Sequence, residues 1–185
     1  MILPTTLVLM AMTPHPQFDG LLFDFQIAGQ VPWQVVNDSV MGGRSTSRWQ
    51  LINGTAVFQG VVSLENNGGF ASVRSLPATH DLVGRDAIVL RVRGDGRRYK
   101  FMVRMDKGLD GALYQVAFST KKDEWVEPRL PMSGFVPIYR GRVLPGAPPL
   151  DPGKVKSFGL LVSDQQEGPF RLEIAWIKAL TPVDK

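Results

Sequence analysis

The sequence predicts an all-β protein, an antiparallel sandwich of two β-sheets with the topology of a jelly roll. Three observations support this fold class. Turn signals recur about every 8–12 residues. Apolar and polar residues alternate with a period of two in several segments, and no segment keeps a helical period over three turns. The 19 glycines and 14 prolines are spread along the chain, which favours many short strands over long helices.

In the N-terminal half, alternation and turn residues predict five strands. Their predicted ranges are residues 18–25, 33–36, 45–52, 55–64 and 70–75. Asn53-Gly54 separates the third strand from the fourth, and this dipeptide accepts positive φ and is typical of a tight hairpin. The run Asn66-Asn67-Gly68-Gly69 predicts a second turn.

The middle and the end of the chain show the clearest alternation, in residues 87–93, 99–105, 114–118 and 170–176. The side chains predicted to face the core are Ile88, Leu90, Val92, Tyr99, Phe101, Val103, Met105, Tyr114, Val116, Phe118, Phe170, Leu172, Ile174 and Trp176. Gly94-Asp95-Gly96 predicts a hairpin turn between the first two of these strands, and the proline-rich residues 145–152 predict a surface loop.

The length of 185 residues suits one domain. We assign residues 18–180 to a single jelly-roll domain, residues 1–17 to an N-terminal segment and residues 181–185 to a tail. Residues 2–12 are an apolar run too short to span a bilayer, and three interpretations stay open: an atypical export signal, a start codon placed upstream of the true one, or a first strand. We expect a cytoplasmic location, or a periplasmic one if residues 1–12 act as an export signal.

Residue types argue against catalysis. The chain has no cysteine, which excludes disulfides, thiolate metal sites and a cysteine nucleophile. Its two histidines, His15 and His80, are not near a Gly-x-Ser-x-Gly elbow, so a serine triad is not indicated. Gly94-Asp95-Gly96 lacks the third glycine and the helix of a dinucleotide site, and no acidic spacing matches a calcium loop. We predict a binding domain that is not an enzyme, with no metal and no cofactor.

Two glycine-rich loops, residues 37–45 and 66–74, could face a ligand. The side chains able to form hydrogen bonds there are Asp38, Asn66 and Arg74. The alternative is that these polar side chains stabilise the turns, while Met41 and Phe70 close the end of the sandwich. Composition alone favours this alternative. The full set of candidate contacts for a ligand or partner is Trp33, Asn37, Asp38, Met41, Arg44, Asn66, Asn67, Phe70, Arg74, Asp95, Tyr99, Tyr139, Arg140 and Arg142.

The second candidate surface is a basic stripe, in a chain with a net charge of +4. If strands 87–93 and 99–105 pair as a hairpin, six cations lie on one outer face: Arg91, Arg93, Arg97, Arg98, Lys100 and Arg104. Such a face would suit anionic lipid, an acidic protein or nucleic acid, although the scarcity of aromatics beside it disfavours nucleic acid. An ordinary solvated sheet face is the alternative.

A longer pattern runs through the two loops and beyond them. Its segments are Trp33-x-x-Val36-Asn37-Asp38-x-Val40-Met41-Gly42-Gly43-x-Ser45, Phe58-x-Gly60, Asn66-Asn67-Gly68-Gly69-Phe70-Ala71-Ser72-Val73-Arg74, Arg93-Gly94-Asp95-Gly96-Arg97-x-Tyr99, Arg140-Gly141-Arg142 and Phe158-Gly159-Leu160-Leu161. With further matches, it covers about residues 18–180 and resembles the complex I intermediate-associated protein family.

The resemblance implies a galactose-binding-like jelly roll, similar to some carbohydrate-binding modules. It also implies an assembly factor or chaperone for NADH:ubiquinone oxidoreductase, which holds membrane-arm intermediates. We therefore expect a protein partner, subunits of a membrane complex among them, and a chain that is not itself an integral membrane protein. The alternative is a module that recognises a glycan, in a groove lined by Trp33, Asp38, Asn66, Arg74, Tyr99 or Tyr139.

Overall fold

Strands form the framework of residues 20–27, 29–106 and 111–182, which are the residues that the computed structural model describes. The helical segments in these ranges are four 3-10 turns of three or four residues. The strands in chain order are β1 (Leu21–Asp24), β2 (Trp33–Val35), β3 (Thr46–Ile52), β4 (Thr55–Val62), β5 (Ala71–Ser75), β6 (Ala87–Arg93), β7 (Arg98–Arg104), β8 (Leu113–Ser119), β9 (Trp125–Val126), β10 (Arg129–Pro131), β11 (Val136–Tyr139), β12 (Arg142–Val143), β13 (Ser157–Val162) and β14 (Gly168–Leu180).

These strands form two antiparallel sheets of seven strands each. Sheet 1 has the order β10-β6-β14-β4-β3, with β1 beside β14 and β9 beside β6. Sheet 2 has the order β12-β11-β8-β7-β13-β5-β2. The core lies between the sheets, because each strand buries the face that its alternating apolar residues provide. Ile88, Leu90 and Val92 are fully buried on β6, as their period-two spacing predicts.

Two turns follow the sequence prediction closely. Asn53 and Gly54 both have positive φ, 50° and 74°, and connect β3 to β4 through the pairing of Ile52 with Thr55. A two-residue hairpin with positive φ at both positions has the twist that antiparallel strands require. Asn66 and Asn67 also adopt positive φ in the turn before β5. Residues 145–152 contain no strand, as expected of a surface loop.

The prediction for Trp176 is wrong, because β14 contains a bulge. The register shifts between Ile174, which pairs with Val92, and Trp176, which pairs with Arg91. An extra residue in one strand reverses the faces of the residues that follow it. Ile177 therefore enters the core and Trp176 lies on the outside, with the Lys178 ammonium 4.2 Å from its ring centroid.

The predicted hairpin between β6 and β7 is also wrong. β6 lies in sheet 1 between β10 and β14, whereas β7 lies in sheet 2 between β8 and β13. Gly94-Asp95-Gly96 is a corner that carries the chain from one sheet to the other, and Gly94 forms an isolated bridge with Lys122. Gly96 has a φ of 90°, which serves a corner as well as a hairpin.

Tyr99 lies in the core beneath this corner, so it is unavailable as a ligand contact. Its side chain is fully buried, and its hydroxyl donates to both carboxylate oxygens of Asp95 at 3.1 Å. Asp95 also accepts from the backbone N–H groups of Arg97 and Arg171. Burial and the neighbouring Asp95 charge raise the pKa of Tyr99 far above its usual range. Tyr99 and Asp95 therefore serve to fix the crossing between the sheets.

We expect Tyr99→Phe to lower the free energy of unfolding by about 1.5 kcal/mol, the worth of a hydrogen bond to a charged group. Urea denaturation at neutral pH measures this loss. Tyr139→Phe is the matched control, because Tyr139 is exposed on β11, and it should leave stability unchanged. Equal losses in the two variants would contradict the structural role of Tyr99.

Two sequence predictions fall partly outside the described residues. The N-terminal segment 1–17 lies outside them, and so do residues 183–185 of the predicted tail. In the described part of the chain, no helix has the length and apolar character needed to cross a membrane.

Candidate functional site

The outer face of sheet 2 carries a groove with a volume of about 750 Å³. Outward side chains of β5, β13, β7 and β8 form its floor, because they alternate with the residues that enter the core. The apolar lining consists of Val40, Met41, Phe70, Met102, Leu113, Ile138 and Leu161. The described charged residues of the lining are Arg74, Lys100, Arg104, Arg140 and Asp164. The groove is therefore both apolar and predominantly cationic.

Six of the residues singled out from the sequence meet in this groove, although they come from four separate segments of the chain. They are Met41, Phe70, Arg74, Lys100, Arg104 and Arg140. Met41 does not close the end of the sandwich as the structural alternative expected, because its side chain is 66% exposed. It forms part of the groove wall instead.

Arg74 differs from the other cations of the groove. It is half-buried on β5, and its Nε atom is buried without a hydrogen-bond partner among the described residues. Burial and the nearby positive charge of Arg104 lower the pKa of the Arg74 guanidinium. Arg104 is buried and donates from Nη1 to the carbonyl oxygen of Gly111 at 2.8 Å.

Asp164 supplies the acidic group of the lining. Lys100 pairs with its Oδ1 atom at 2.6 Å, and Arg98 pairs with its Oδ2 atom at 3.0 Å. Burial raises the pKa of this carboxyl, but the hydrogen bond and charge of Lys100, with hydrogen bonds from Arg98 and Ser163, outweigh burial and lower it. Asp164 thus compensates Lys100 and Arg98 and does not reach Arg74.

Gly159 makes room for the Met102 side chain, which lies beside Arg74 on the groove floor. It pairs with Arg74 on one side and with Met102 on the other. A Cβ atom at position 159 would lie 2.7 Å from Met102 Cε and 3.4 Å from Arg74 Cγ. Sequence reasoning missed Gly159 and Met102 as site residues. The available signal was a methionine on the outward face of a strand, at a position where a solvated surface favours a polar residue.

A buried carboxylate, Asp38, ties the two glycine-rich loops together beside the groove. It accepts from Ser45 N at 2.9 Å and Ser45 Oγ at 2.5 Å, and from Gly69 N at 2.7 Å and Phe70 N at 3.2 Å. We call Asp38, Ser45, Gly69 and Phe70 the Asp38 clasp. Burial raises the pKa of Asp38, but these four hydrogen bonds together lower it below the ordinary value. All of its acceptor capacity is used internally, which supports the structural alternative for Asp38.

Two glycines allow the backbone to approach the clasp. A Cβ atom at Gly43 would lie 2.5 Å from Asp38 Cγ, and one at Gly68 would lie 2.7 Å from Asp38 Oδ2. The 3-10 turn Asp38–Met41 continues directly from the clasp to the groove wall. The clasp therefore fixes the position of Met41 and Phe70 relative to sheet 2.

The asparagines of the loops also bond within the protein. Asn37 Oδ1 accepts from Ser47 Oγ at 2.7 Å, and Asn66 Nδ2 donates to the carbonyl oxygen of Gly42 at 3.3 Å. Asn67 is exposed with a φ of 58°. These residues stabilise the turns and do not line the groove.

The remaining loop candidate, Arg44, forms an exposed ion pair with Glu65 at 2.9 Å.

Trp33 does not line the groove either. It stacks on Trp49 with ring centroids 4.8 Å apart and borders a separate hollow of about 300 Å³ with Phe25. Trp33 lies on β2, the edge strand of sheet 2 opposite β12.

Tyr139, Arg140 and Arg142 lie together at the opposite edge. They border a shallow hollow of about 430 Å³, and the Arg140 guanidinium lies 5.3 Å from the Tyr139 ring centroid. Of the three, Arg140 also reaches the main groove.

The predicted basic stripe does not exist as one surface, because β6 and β7 belong to different sheets. Arg91 and Arg93 lie on the outer face of sheet 1, and their guanidinium carbons are 5.5 and 5.1 Å from the Trp125 ring centroid. Arg91 pairs with Glu127 at 2.7 Å, and Arg93 pairs with Glu173 at 2.5 Å. Local carboxylates thus neutralise this half of the stripe.

The other half lies on sheet 2 and at the corner. Arg97 pairs with Asp95 at 3.4 Å and donates to the carbonyl oxygens of residues 166, 167 and 169. Arg98 pairs with Asp164, and only Lys100 and Arg104 line the groove. Among the described residues, no three histidine, aspartate or glutamate side chains lie close enough to hold a metal ion.

Comparison with solved structures confirms the predicted jelly-roll sandwich. The family 11 carbohydrate-binding module from a cellulosomal cellulase of Clostridium thermocellum superimposes with a TM-score of 0.66 at 13% identity, covering 89% of this chain and 95% of the module. A structure of the family 11 module from Clostridium thermocellum in complex with a β-1,3-1,4-mixed-linked tetrasaccharide gives 0.66 at 16% identity, covering 90% and 97%. At such low identity the likeness shows the fold alone.

Sequence relatives carry more specific information. Complex I intermediate-associated protein 30, mitochondrial, from Mus musculus is 30% identical over 170 residues, which cover 80% of this chain and 52% of the relative. The protein of the same name from Drosophila melanogaster is 28% identical over 189 residues, covering 88% and 63%. The chain thus spans between half and two thirds of these relatives. Their names place them in mitochondria, which contradicts our expectation of a cytoplasmic location.

The family comparison agrees with the resemblance that the sequence pattern indicated. The family model described as complex I intermediate-associated protein 30 matches residues 23–174. This range contains the Asp38 clasp, the corner at Asp95 and every residue that lines the groove. The chain belongs to the complex I intermediate-associated protein 30 family.

Proposed function

We propose that this protein is a non-catalytic assembly factor that holds a protein intermediate of respiratory complex I, and that the groove on sheet 2 is its binding surface. Family membership supports the partner, since the relatives are named as proteins associated with intermediates of complex I. The observation that carries the proposal is the groove itself, which combines apolar side chains with cations on a rigid sheet. Sites built on strands hold their geometry better than sites built on loops.

The lining fits a peptide segment better than a glycan. Sugar recognition relies on an exposed aromatic platform beside hydrogen-bonding groups. Among the described residues that line the groove, Phe70 is the only aromatic. Trp33 lies against Trp49 outside the groove, and Tyr99 is in the core. Apolar side chains such as Met41 and Leu161 instead match the apolar residues of a protein surface.

A capture experiment with two matched variants tests this proposal. The purified protein is immobilised and exposed to detergent-solubilised mitochondrial inner membranes, and retained complex I subunits are quantified by mass spectrometry. Leu161→Asp removes an apolar contact from the groove and adds a carboxylate. We expect it to reduce retention of these subunits about ten-fold or more, because the introduced charge must be desolvated against an apolar partner.

The control is Val61→Asp, which makes the same kind of change at an exposed position of β4 on sheet 1. It should retain the subunits as well as the unmodified protein does. Equal losses in both variants, or no complex I subunit on the unmodified protein, would overturn the proposal. A β-glucan that binds the same immobilised protein while complex I subunits do not would establish the glycan alternative instead.

A further inference from the structure

We propose that the groove recognises an acidic side chain of its protein partner, and that Arg74 on the groove floor binds the carboxylate. This inference rests on the proposed function and names the chemistry of the partner. The partner segment would carry an aspartate or glutamate between apolar residues.

The Arg74 side chain has no hydrogen-bond acceptor among the described residues. A guanidinium has five N–H donors in a rigid fork and stays protonated at physiological pH. Burying such a group without a partner is costly, and proteins rarely do so. Arg91, Arg93 and Arg98 each pair with a carboxylate at 2.5–3.0 Å. Within the described residues, no ion pair or hydrogen bond engages the guanidinium of Arg74, and its Nε atom is buried.

The charge around Arg74 is predominantly positive. Of the described residues, four cations and one carboxylate line the groove, and that carboxylate, Asp164, is occupied by Lys100 and Arg98. Arg104 adds positive charge next to Arg74, since the two line one small recess with Gly159. A cleft with charge of one sign and low-dielectric walls concentrates the field and attracts the opposite charge. Burial and, after it, the positive charge of Arg104 lower the pKa of Arg74, and a bound anion would oppose the effect of Arg104.

The groove fits a carboxylate on a peptide better than a free anion. Arginine binds carboxylates through two parallel hydrogen bonds, which require the carboxylate to lie in the guanidinium plane at an edge that presents two N–H donors. Because position 159 is a glycine, the Met102 and Arg74 side chains lie over the β13 backbone between β5 and β7. Met102, Leu161 and Phe70 line the same groove. A free inorganic anion would leave these apolar side chains exposed to solvent. A peptide with apolar residues beside its carboxylate would bury them.

Nuclear magnetic resonance on the full chain provides the test. The probes are two blocked peptides, acetyl-Leu-Glu-Leu-amide and acetyl-Leu-Gln-Leu-amide, which differ by one charge. Binding is followed through the Nε–Hε resonance of Arg74 and the backbone resonances of β7 and β13. We expect the glutamate peptide to shift the Arg74 resonance and to bind about ten-fold or more tightly than the glutamine peptide, as a charge-assisted pair provides.

Two variants separate the site from general electrostatics. Arg74→Gln should bind both peptides equally and keep its melting temperature, because it removes a charge that has no internal partner. Arg48→Gln, at an exposed position of β3, should keep the preference for the glutamate peptide. Equal binding of the two peptides by the unmodified protein, or a preference that survives in Arg74→Gln, would overturn the inference. Tighter binding of inorganic phosphate than of the glutamate peptide would also overturn it.

The outcomes also separate this inference from the proposed function. Preference for the glutamate peptide, without capture of complex I subunits, would keep the carboxylate site and overturn the assembly role. Capture of those subunits by Arg74→Gln at the level of the unmodified protein would keep the assembly role and overturn the carboxylate site.

Discussion

Replacing Asp38 with alanine is expected to lower the free energy of unfolding by about 3–5 kcal/mol, one of the two largest single-residue effects that we predict. Asp38 is fully buried and accepts four hydrogen bonds, from both groups of Ser45 and from the N–H groups of Gly69 and Phe70. Alanine would leave these donors buried without an acceptor. Urea denaturation at pH 7, followed by tryptophan fluorescence, measures the change.

Glu65→Ala is the control for this experiment, because Glu65 lies next to the clasp and forms only an exposed ion pair with Arg44. Its effect should stay within about 0.5 kcal/mol, as is usual for such pairs. A loss no larger for Asp38→Ala than for Glu65→Ala would show that the clasp contributes little.

The clasp also predicts how stability depends on pH. The pKa of Asp38 in the folded protein lies below its ordinary value of 3.8. A carboxyl with a lowered folded pKa stabilises the protein fully above its unfolded pKa, and this contribution disappears as the pH falls through the folded pKa. The stability difference between the unmodified protein and Asp38→Asn should therefore be constant near neutrality and shrink below about pH 4. A difference independent of pH down to unfolding would contradict this account.

Gly60→Val is expected to cost about 3 kcal/mol or more, or to prevent folding. Gly60 pairs with Ser47 on β3, and a Cβ atom at position 60 would lie 2.0 Å from the carbonyl oxygen of Thr46 and 2.7 Å from Ser47 Cα. Both contacts are with backbone, which cannot rotate away as a side chain can. The two strands would have to separate. Thermal unfolding followed by circular dichroism measures the loss.

The neighbouring substitution Gln59→Val is the control for the same strand. Gln59 lies on the outward face of β4, where valine meets no such backbone. It should change the melting temperature by no more than about 2 °C. A Gly60→Val protein that melts as late as Gln59→Val would show that β3 adjusts to the added side chain.

The clasp and Gly60 give a physical reason for part of the sequence pattern that identifies the family. Gly43, Gly60 and Gly68 lie where a Cβ atom would collide with Asp38 or with the backbone of β3. These positions therefore maintain the end of the sandwich next to the groove. The proposed contacts with the partner come from a different set, which includes Arg74, Phe70 and Leu161 within the pattern and Met102 outside it.

Local patterns were sufficient for much of the fold. The period-two alternation in β6 and β7 identified their buried faces, because burial of one face selects for it directly within the strand. The Asn53-Gly54 hairpin was equally local, since the φ values of two residues decide it. The face of Trp176 was not predictable, because the bulge before it depends on pairing with β6.

The sequence by itself determined the strands, the hairpin at Asn53, the family and the general character of the fold, because each depends on residues that are close in the chain or on a pattern along it. The tertiary structure alone decided which strands share a sheet. Because β6 and β7 lie in different sheets, Arg91 and Lys100 are on different surfaces and the predicted basic stripe does not form. It also decided that Asp38 is a buried clasp while Arg74 lies at the groove floor. A short polar residue in a glycine-rich loop looks the same in either role, and only the positions of distant backbone donors and neighbouring strands distinguish the two.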